Sequence, residues 1–385
     1  MVDLKIVNGI VMDPAQGTES VRDLYVHGGC IVEPGGNTEA MRVIDAAGCY
    51  VTPGFIDTHI HLFARGSEFG AQADLICLPA GVTTAVDAGS AGIFTVGNLV
   101  NGPVRQCATT IKVLLHPSNN GVQGHPHEEP QDPAYYRYEK VARLFEKFPR
   151  DLVGLKIRFH DHVPRDSGLL ALENAAATAD KLAREGYRCI LDVHFGDLAE
   201  GLFLEDILSR MRPGDVMAHL YRGGRSLTID ENGRLRGAMF EARARGVCFE
   251  TACSRPYFSL KVLKAAVREN FYPDIISTDL TRRTMYWRPA FSMAHKMTAY
   301  LAAGMPLQEV VAAVTSRPAA IFGLEAEAGS LRTGRPADIA VFKVENRPYR
   351  IDDLYGESMA AEKMVVPMAT IKNGAIAFQQ ITLGW

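Results

Sequence analysis

Eight short stretches rich in β-branched residues recur through the middle of the chain, mostly about 30 residues apart. Helical stretches lie between them, and the clearest, Ala171–Glu185, ends at Gly186 with basic residues in its last turns. The predicted strands are Gly54–His59, Val82–Asp87, Thr110–Leu115, Val153–Arg158, Arg188–His194, Val216–His219, Val247–Thr251 and Ile275–Asp279. Such alternation favours a parallel sheet, and eight units predict an α/β chain folded as a (β/α)8 TIM barrel.

Candidate ligands for metal ions stand toward the carboxyl ends of five predicted strands. His59 and His61 alternate along the first strand, so their imidazoles share one face about 7 Å apart at the Cα atoms. Strands four, five, six and eight contribute Lys156, His194, His219 and Asp279. Barrel active sites form at these strand ends, so the pattern predicts a metal site there. The alternatives are paired core histidines and a Lys156–Asp279 ion pair in a metal-free barrel.

The run Pro53-Gly-Phe-Ile-Asp-Thr-His-Ile-His61 resembles the first-strand signature of the amidohydrolase superfamily, whose members are metal-dependent hydrolases on a (β/α)8 barrel. The stretches 81–92, 276–280 and Gly356-Glu-Ser resemble the dihydroorotase-like branch, in particular the group labelled dihydroorotase or deacetylase. The resemblance implies a binuclear centre that uses all six candidates. It assigns His59, His61 and Asp279 to one metal ion, His194 and His219 to a second, and Lys156 to a bridge between them.

A lysine ammonium group cannot bind a cation, because it has no lone pair to offer. A neutral amine that captures carbon dioxide becomes a carbamate with anionic oxygens, so we predict carbon dioxide bound as a carbamate on Lys156. Zinc suits a ligand set of imidazoles and carboxylates, although manganese, iron or cobalt can occupy it. Asp57 and Asp192 share faces with His59 and His194, where each either orients an imidazole or belongs to a polar layer.

These ligands imply hydrolysis of an amide or ester bond in a small acylated acid. Two divalent ions lower the pKa of a bridging water, and the hydroxide attacks a polarised carbonyl. Asp279 is the predicted catalytic residue, because it can accept the proton and deliver it to the leaving group. The nearest alternative is a dihydroorotase-like hydrolase of cyclic amides, followed by a deaminase and a non-catalytic barrel protein. Mononuclear deaminases carry His-x-x-Glu, which neither His194-Phe-Gly-Asp nor His219-Leu-Tyr-Arg matches.

The predicted substrate contacts are Arg158, Arg255, Ser254 and Asp87. Arg158 lies two residues beyond Lys156, where it either binds a substrate carboxylate in a bidentate manner or neutralises carboxylates of the barrel. The other three follow predicted strands seven and two. The sequence Ala252-Cys-Ser-Arg-Pro departs from the glycine-rich pattern of the related group, as does the loop 281–289. Because these departures lie where the substrate is expected to bind, the identity of the substrate is undetermined, whereas the predicted metal ligands are unaffected.

Strand-like runs before residue 50 and after residue 338 flank the predicted barrel. The resemblance implies that residues 1–52 and 330–385 join in a small β-sandwich domain, and that residues 53–329 form the hydrolase barrel. Strands are also predicted on both sides of the Asn8-Gly9 turn, and at 339–344, 367–371 and 375–379 at the other end.

Composition excludes several classes of protein. The chain of 385 residues is 47% hydrophobic and carries a net charge of −3, which gives no reason to expect a nucleic acid or an anionic membrane as partner. No apolar run reaches about 18 residues, so no membrane span is predicted. The seven cysteines are odd in number and lack Cys-x-x-Cys spacing, which predicts reduced thiols and a cytoplasmic location. The expected partner is a small acylated substrate. The sequence does not decide between a monomer and a homo-oligomer.

Overall fold

The computed structural model describes residues 1–34, 38–124, 137–160, 168–225 and 227–383. Strands β1 to β7 span Val2–Val7, Ile10–Asp13, Thr18–Val21, Leu24–His27, Cys30–Val32, Ala40–Asp45 and Tyr50–Pro53. Strands β8 to β14 span Phe55–Ile60, Val82–Gly92, Thr110–His116, Leu152–Phe159, Ile190–Phe195, Val216–Ala218 and Cys248–Phe249. Strands β15 to β17 span Ile339–Asp352, Ser358–Lys372 and Ala375–Gln379.

Helices α1 to α10 span Ala73–Ile76, Val96–Leu99, Tyr138–Lys147, Leu170–Arg184, Leu204–Arg210, Gly237–Ala244, Leu260–Arg268, Met293–Ala302, Leu307–Val314 and Ser316–Phe322. Short 3₁₀ segments lie at Leu78–Ala80 and Arg255–Tyr257, and a π-helical segment lies at Val100–Val104. Within the described ranges, no helix is long and apolar enough to cross a membrane.

Strands β8 to β14 form one curled sheet in chain order, and every neighbouring pair is parallel. The predicted α/β architecture is therefore confirmed. The eighth predicted strand, Ile275–Asp279, differs from the prediction because it is not a continuous strand. It makes isolated parallel bridges from Ile275 to Glu250 and, just beyond its end, from Leu280 to Ile60. Asp279 has a φ of 52°, which interrupts the extended backbone that a strand requires.

An apolar layer closes the end of this sheet that lies opposite the carboxyl ends of the strands. Each of the seven strands except the last contributes one buried residue, and the segment after β14 contributes another: Ile56, Val86, Leu114, Val153, Ile190, Val216 and Ile275. Ala319 and Phe322 of α10 pack against this layer from outside. Because both faces of the sheet are covered, its strands are apolar along most of their length.

The remaining strands come from the two ends of the chain. They form a four-stranded sheet, β5-β4-β1-β6, and a six-stranded sheet, β17-β16-β15-β7-β2-β3, with a separate hydrophobic cluster of residues from both. Both strands predicted around Asn8-Gly9 are present, but they enter different sheets and do not form a hairpin. A Cβ atom on Gly9 would lie 2.5 Å from Cγ2 of Val51, so the chain crosses β7 too closely for another residue.

The hairpin of β15 and β16 is much longer than predicted, with strands of 14 and 15 residues. Its tip reaches the loops at the carboxyl ends of the parallel strands. The Tyr355 hydroxyl donates a hydrogen bond to the carbonyl oxygen of Pro256 at 2.7 Å, and the Asp353 carboxylate accepts one from the Leu260 amide at 2.9 Å. The sequence did not reveal this extension, because residues 345–350 are polar and include a proline.

We expect the buried ion pair of Asp338 and Lys372 to contribute more to stability than an exposed pair does. Both side chains are 5% exposed, and the Lys372 Nζ lies 2.5 Å from Asp338 and 2.8 Å from Thr110 of β10. Asp338→Ala leaves a buried ammonium group unpaired and should lower the free energy of unfolding by about 3–5 kcal/mol. Denaturant titration of purified protein measures this change.

The control is Asp352→Ala, which removes a carboxylate from an exposed ion pair with Arg350. Its effect should stay below about 1 kcal/mol. Equal destabilisation by the two variants would contradict the role given to the buried pair.

Candidate metal centre

A cavity of about 460 Å³ opens at the carboxyl ends of the parallel strands. Five of the six predicted ligands line it: His59, His61, Lys156, His194 and Asp279. The sixth, His219, is fully buried beside it, where its ring stacks on Tyr257 with centroids 4.0 Å apart. The structure thus brings all six residues together, although they come from widely separated parts of the sequence.

His59, His61 and Asp279 offer ligand atoms that all lie within 4.8 Å of one another. Asp279 Oδ1 lies 3.4 Å from His61 Nε2 and 3.9 Å from His59 Nε2. Two backbone hydrogen bonds hold this geometry, from the Asp279 amide to the His59 carbonyl at 2.7 Å and from the His61 amide to the Leu280 carbonyl at 2.9 Å. The three side chains therefore converge because their backbones are bonded directly.

His194 and His219 form a second group. His219 donates its Nδ1 hydrogen to the carbonyl oxygen of Ala252 at 2.8 Å, so Nε2 faces His194 Nδ1 at 2.7 Å. Burial, and then nearby positive charge, holds the pKa of each imidazole well below its usual value. Both are consequently neutral near pH 7, which is the form that binds a metal ion.

Lys156 lies between the two groups. It is 1% exposed, and its Nζ atom is 2.6 Å from Asp192 Oδ1 and 3.2 Å from His59 Nε2. Strand register places Lys156 directly opposite Asp192 on the neighbouring strand β12. The Lys156 amine is therefore close to His59 of the first ligand group and near His194 of the second.

Two of the six residues sit in strained backbone conformations. His219 has a φ of 69° and Asp279 a φ of 52°, in the left-handed region that favours glycine. Each such conformation costs about 1–3 kcal/mol and persists only where the surrounding structure imposes it. No pattern in the sequence reveals this strain, because neither residue type nor hydrophobic period marks it.

Glu250 is a residue of the site that the sequence did not identify. It is fully buried beyond the end of β14, accepts a short hydrogen bond from the Thr58 hydroxyl, and accepts another from His59 Nδ1 at 2.8 Å. A carboxylate bonded to Nδ1 leaves Nε2 of His59 to face the cavity. The available signal was a charged residue inside the apolar run of predicted strand seven.

For Asp57 and Asp192, the orientation of an imidazole and a place in a polar layer were the two alternatives, and the structure shows what each carboxylate contacts. Asp57 accepts hydrogen bonds from the hydroxyl of Thr278 at 2.6 Å and from its amide at 3.1 Å, so it fixes the segment before Asp279. Burial raises the pKa of Asp57 to about 7 despite these bonds. Asp192 bonds Lys156, and its Oδ2 lies 3.5 Å from His59 Nδ1.

Three of the four predicted substrate contacts, Arg158, Ser254 and Arg255, line the cavity. Asp87 is absent from the described lining. Its carboxylate accepts hydrogen bonds from the amides of Leu62 at 2.7 Å and Ser90 at 2.8 Å, so it stabilises the chain that follows His61.

Ser254 contacts the predicted catalytic residue directly. Its hydroxyl donates to Asp279 Oδ2 at 2.5 Å, while Asp279 Oδ1 faces His61. Burial alone would raise the pKa of Asp279, but the hydrogen bond from His61 and then the charge of His59 hold it below its usual value. The carboxylate therefore stays ionised.

The donor set fits divalent ions. It combines two neutral, buried imidazoles with a second cluster of two imidazoles and an ionised carboxylate. His194 Nε2 is buried without a hydrogen-bond partner in the described structure. Buried polar atoms are rarely left without a partner, so this atom marks a place for a bound group.

Glu250→Gln should weaken the affinity for divalent metal ions about 10–100-fold, because the carboxylate orients His59 and raises the basicity of its ring. Competition with a chelator of known affinity measures this loss. Glu325→Gln removes an exposed carboxylate far along the chain and should leave the affinity unchanged. An unaltered affinity in Glu250→Gln would contradict this role.

Two solved structures match the whole fold. One, an adenine deaminase, has a TM-score of 0.88 at 25% sequence identity and covers 99% of this chain and 100% of the other. A dihydroorotase has a TM-score of 0.87 at 24% identity and covers 98% of this chain and 97% of its own. The second likeness supports the fold only.

Similarity of sequence to a relative and to two family models adds the family to this similarity of fold. A deacetylase of Enterococcus faecalis is 28% identical over 330 residues, which are 86% of this chain and 87% of the relative. Two models described as amidohydrolase family match residues 42–206 and 242–377, and together they include every candidate ligand except His219. The chain therefore belongs to the amidohydrolase superfamily and is a hydrolase of carbon–nitrogen amide bonds.

Proposed function

We propose that this amidohydrolase removes an acyl group from a small acylated acid by cleaving an amide or ester bond. The observation that carries the proposal is the convergence of six buried ligand-type residues on a cavity of about 460 Å³. A cavity of this size suits a small molecule rather than a polymer. The deacetylase relative, similar over most of both chains, supports an acyl group as the part that leaves.

The finer architecture is part of the same proposal. We infer that the segment 275–280, which is bridged to both edge strands, closes the curled sheet into a (β/α)8 barrel over residues 53–329. Residues 1–52 and 330–385 then constitute the β-sandwich domain. The two terminal sheets and their common hydrophobic cluster support this division.

In the proposed centre, His59, His61 and Asp279 would hold one divalent ion, and His194 and His219 would hold another. Lys156, once it has captured carbon dioxide as a carbamate, would supply a ligand to both, and zinc is the proposed metal. When bound, such ions supply a water that is acidic near neutral pH and polarise the substrate carbonyl. The proximity of the Lys156 amine to both histidine groups supports this assignment.

The residues of the chain supply orientation and proton transfer. Asp279 accepts a proton as the water attacks and returns it to the leaving nitrogen or oxygen. Ser254 binds Oδ2 of this carboxylate, so Oδ1 keeps its direction toward the ligands. Glu250 fixes the ring of His59, and the Ala252 carbonyl fixes that of His219. These hydrogen bonds thus fix the orientation of the groups that surround the attacking water and the acyl carbon.

A deaminase is the second candidate function, because the adenine deaminase structure covers the whole chain. The two activities differ in what they release: a deaminase liberates ammonia from a heterocycle, whereas a deacylase liberates a carboxylic acid. A dihydroorotase-like enzyme would instead open a cyclic amide without releasing a second product. A substrate screen of the metal-loaded protein therefore separates the three reactions.

Lys156→Ala should lower the metal content from two ions per chain to one or none, and abolish hydrolysis of acetylated amino and hydroxy acids. Elemental analysis and release of acetate measure the two effects. Lys112→Ala is a matched control, because Lys112 is a buried lysine of the same sheet that bonds the Arg150 carbonyl and Glu327. It should keep two ions per chain.

One ion in both the native protein and Lys156→Ala, with ammonia released from adenine, would overturn the bridging role and favour the deaminase. Two ions in the variant would also contradict the assignment of Lys156.

Asp279→Asn should lower kcat about 10²–10⁴-fold, because the amide cannot shuttle a proton. Steady-state kinetics on the best acetylated substrate, with the metal content measured in parallel, separates this effect from loss of a ligand. Asp87→Asn alters a buried carboxylate outside the described lining, and it should change kcat much less. Unchanged kcat in Asp279→Asn would remove Asp279 from the mechanism.

A further inference from the structure

The charges around the cavity indicate the kind of molecule that binds there. Apart from the candidate ligands, every ionic side chain in the described lining is basic: Arg158, Arg255 and Arg283, joined by His160. The only carboxylate in that lining is Asp279, which faces the histidines. A mouth with cationic walls attracts and binds an anion.

The three arginines differ in the contacts that their guanidinium groups make with neighbouring side chains. Arg283 forms an ion pair with Glu68 at 2.6 Å, and Arg158 bonds the hydroxyl of Tyr257. Arg255 makes no ion pair with any described residue. Its guanidinium lies over the ring of Trp287, 4.7 Å from the centroid. An arginine stacked on an aromatic ring still has its in-plane N–H groups available, which is the geometry that binds a carboxylate with two parallel hydrogen bonds.

The backbone around Arg255 is held at a fixed distance from the reacting groups. Its neighbour Ser254 bonds Asp279, and Tyr257 stacks on His219. On the outer side, the Pro256 carbonyl accepts hydrogen bonds from the Tyr355 hydroxyl at 2.7 Å and from the Gly223 amide at 3.2 Å. The Arg255 side chain is exposed, but the turn that carries it is held in place on both sides.

We propose that Arg255, stacked on Trp287, binds the carboxylate of the substrate and selects acylated acids over neutral acyl compounds. The inference rests on the proposed function, since it names the feature by which that same site recognises its substrates. The carboxylate must stand near the scissile bond, because Arg255 adjoins the residue that touches Asp279. Acylated α-amino and α-hydroxy acids meet this condition, and their carboxamides do not.

The test uses the metal-loaded protein with matched pairs of probes: N-acetyl-amino acids, O-acetyl-hydroxy acids and the corresponding carboxamides. The native protein should prefer the acid over its carboxamide by about 100-fold or more in kcat/KM. Arg255→Gln should lower kcat/KM for the acid about 100-fold, mainly through KM, and change that for the carboxamide less than about 3-fold. Trp287→Leu should give an intermediate loss, and Arg255→Lys should restore part of the preference.

Two further variants identify the arginine responsible. Arg282→Gln removes the same charge from an exposed position of the loop that carries Trp287, outside the described lining, and should leave the preference unchanged. Arg158→Gln, which loses the bond to Tyr257, should lower activity on acid and carboxamide alike. Metal content and circular dichroism spectra equal to those of the native protein show that each variant is folded.

An unchanged preference in Arg255→Gln overturns the inference while the proposed function stands. Loss of the preference in Arg158→Gln in place of Arg255→Gln also overturns it, as does a native protein that cleaves acids and carboxamides equally well. A native protein that cleaves no acyl compound at all overturns the proposed function and this inference together.

Discussion

Two backbone hydrogen bonds that join the end of the first parallel strand to Asp279 and Leu280 determine much of this structure. The Asp279 amide bonds the His59 carbonyl, and the His61 amide bonds the Leu280 carbonyl. These bonds join stretches more than 200 residues apart in sequence. They place the imidazoles beside Asp279, hold Asp279 in its left-handed conformation, and accompany the isolated bridge from Leu280 to Ile60 of the first strand. A change in this register would displace every ligand of the first group at once.

The interior divides into an apolar and a polar half along the strands. Seven aliphatic residues fill the layer near the amino ends of the strands, while carboxylates, imidazoles and an ammonium group fill the space near their carboxyl ends. Burying so many ionisable groups is unfavourable unless each is paired. Most are: Asp57 with Thr278, Glu250 with Thr58 and His59, and Asp192 with Lys156. Among the buried atoms that lack a hydrogen-bond partner in the described structure is Nε2 of His194, one of the proposed ligands.

The sequence predicted the α/β class, seven of the parallel strands and the convergence of six residues, because these depend on local period and on the general geometry of strand ends. It did not predict the role of Glu250, since that depends on which side chain lies across the sheet from His59. Asp87 was assigned a role that the structure does not give it. Its place at a strand end suggested a substrate contact, but its carboxylate accepts hydrogen bonds from two backbone amides. The extension of β15 and β16 also depends on pairing between distant residues. A polar stretch that pairs in this way has no alternation of hydrophobic residues by which the sequence could predict a strand.

The long hairpin of β15 and β16 carries Leu354 to the edge of the cavity, and its Tyr355 fastens the turn that bears Arg255. A segment outside the metal-binding strands therefore shapes the entrance. Natural variation in the length or sequence of this tip can redirect specificity while the catalytic apparatus stays intact. In this fold, the segment that shapes the entrance is therefore separate in sequence from the residues proposed to carry the chemistry.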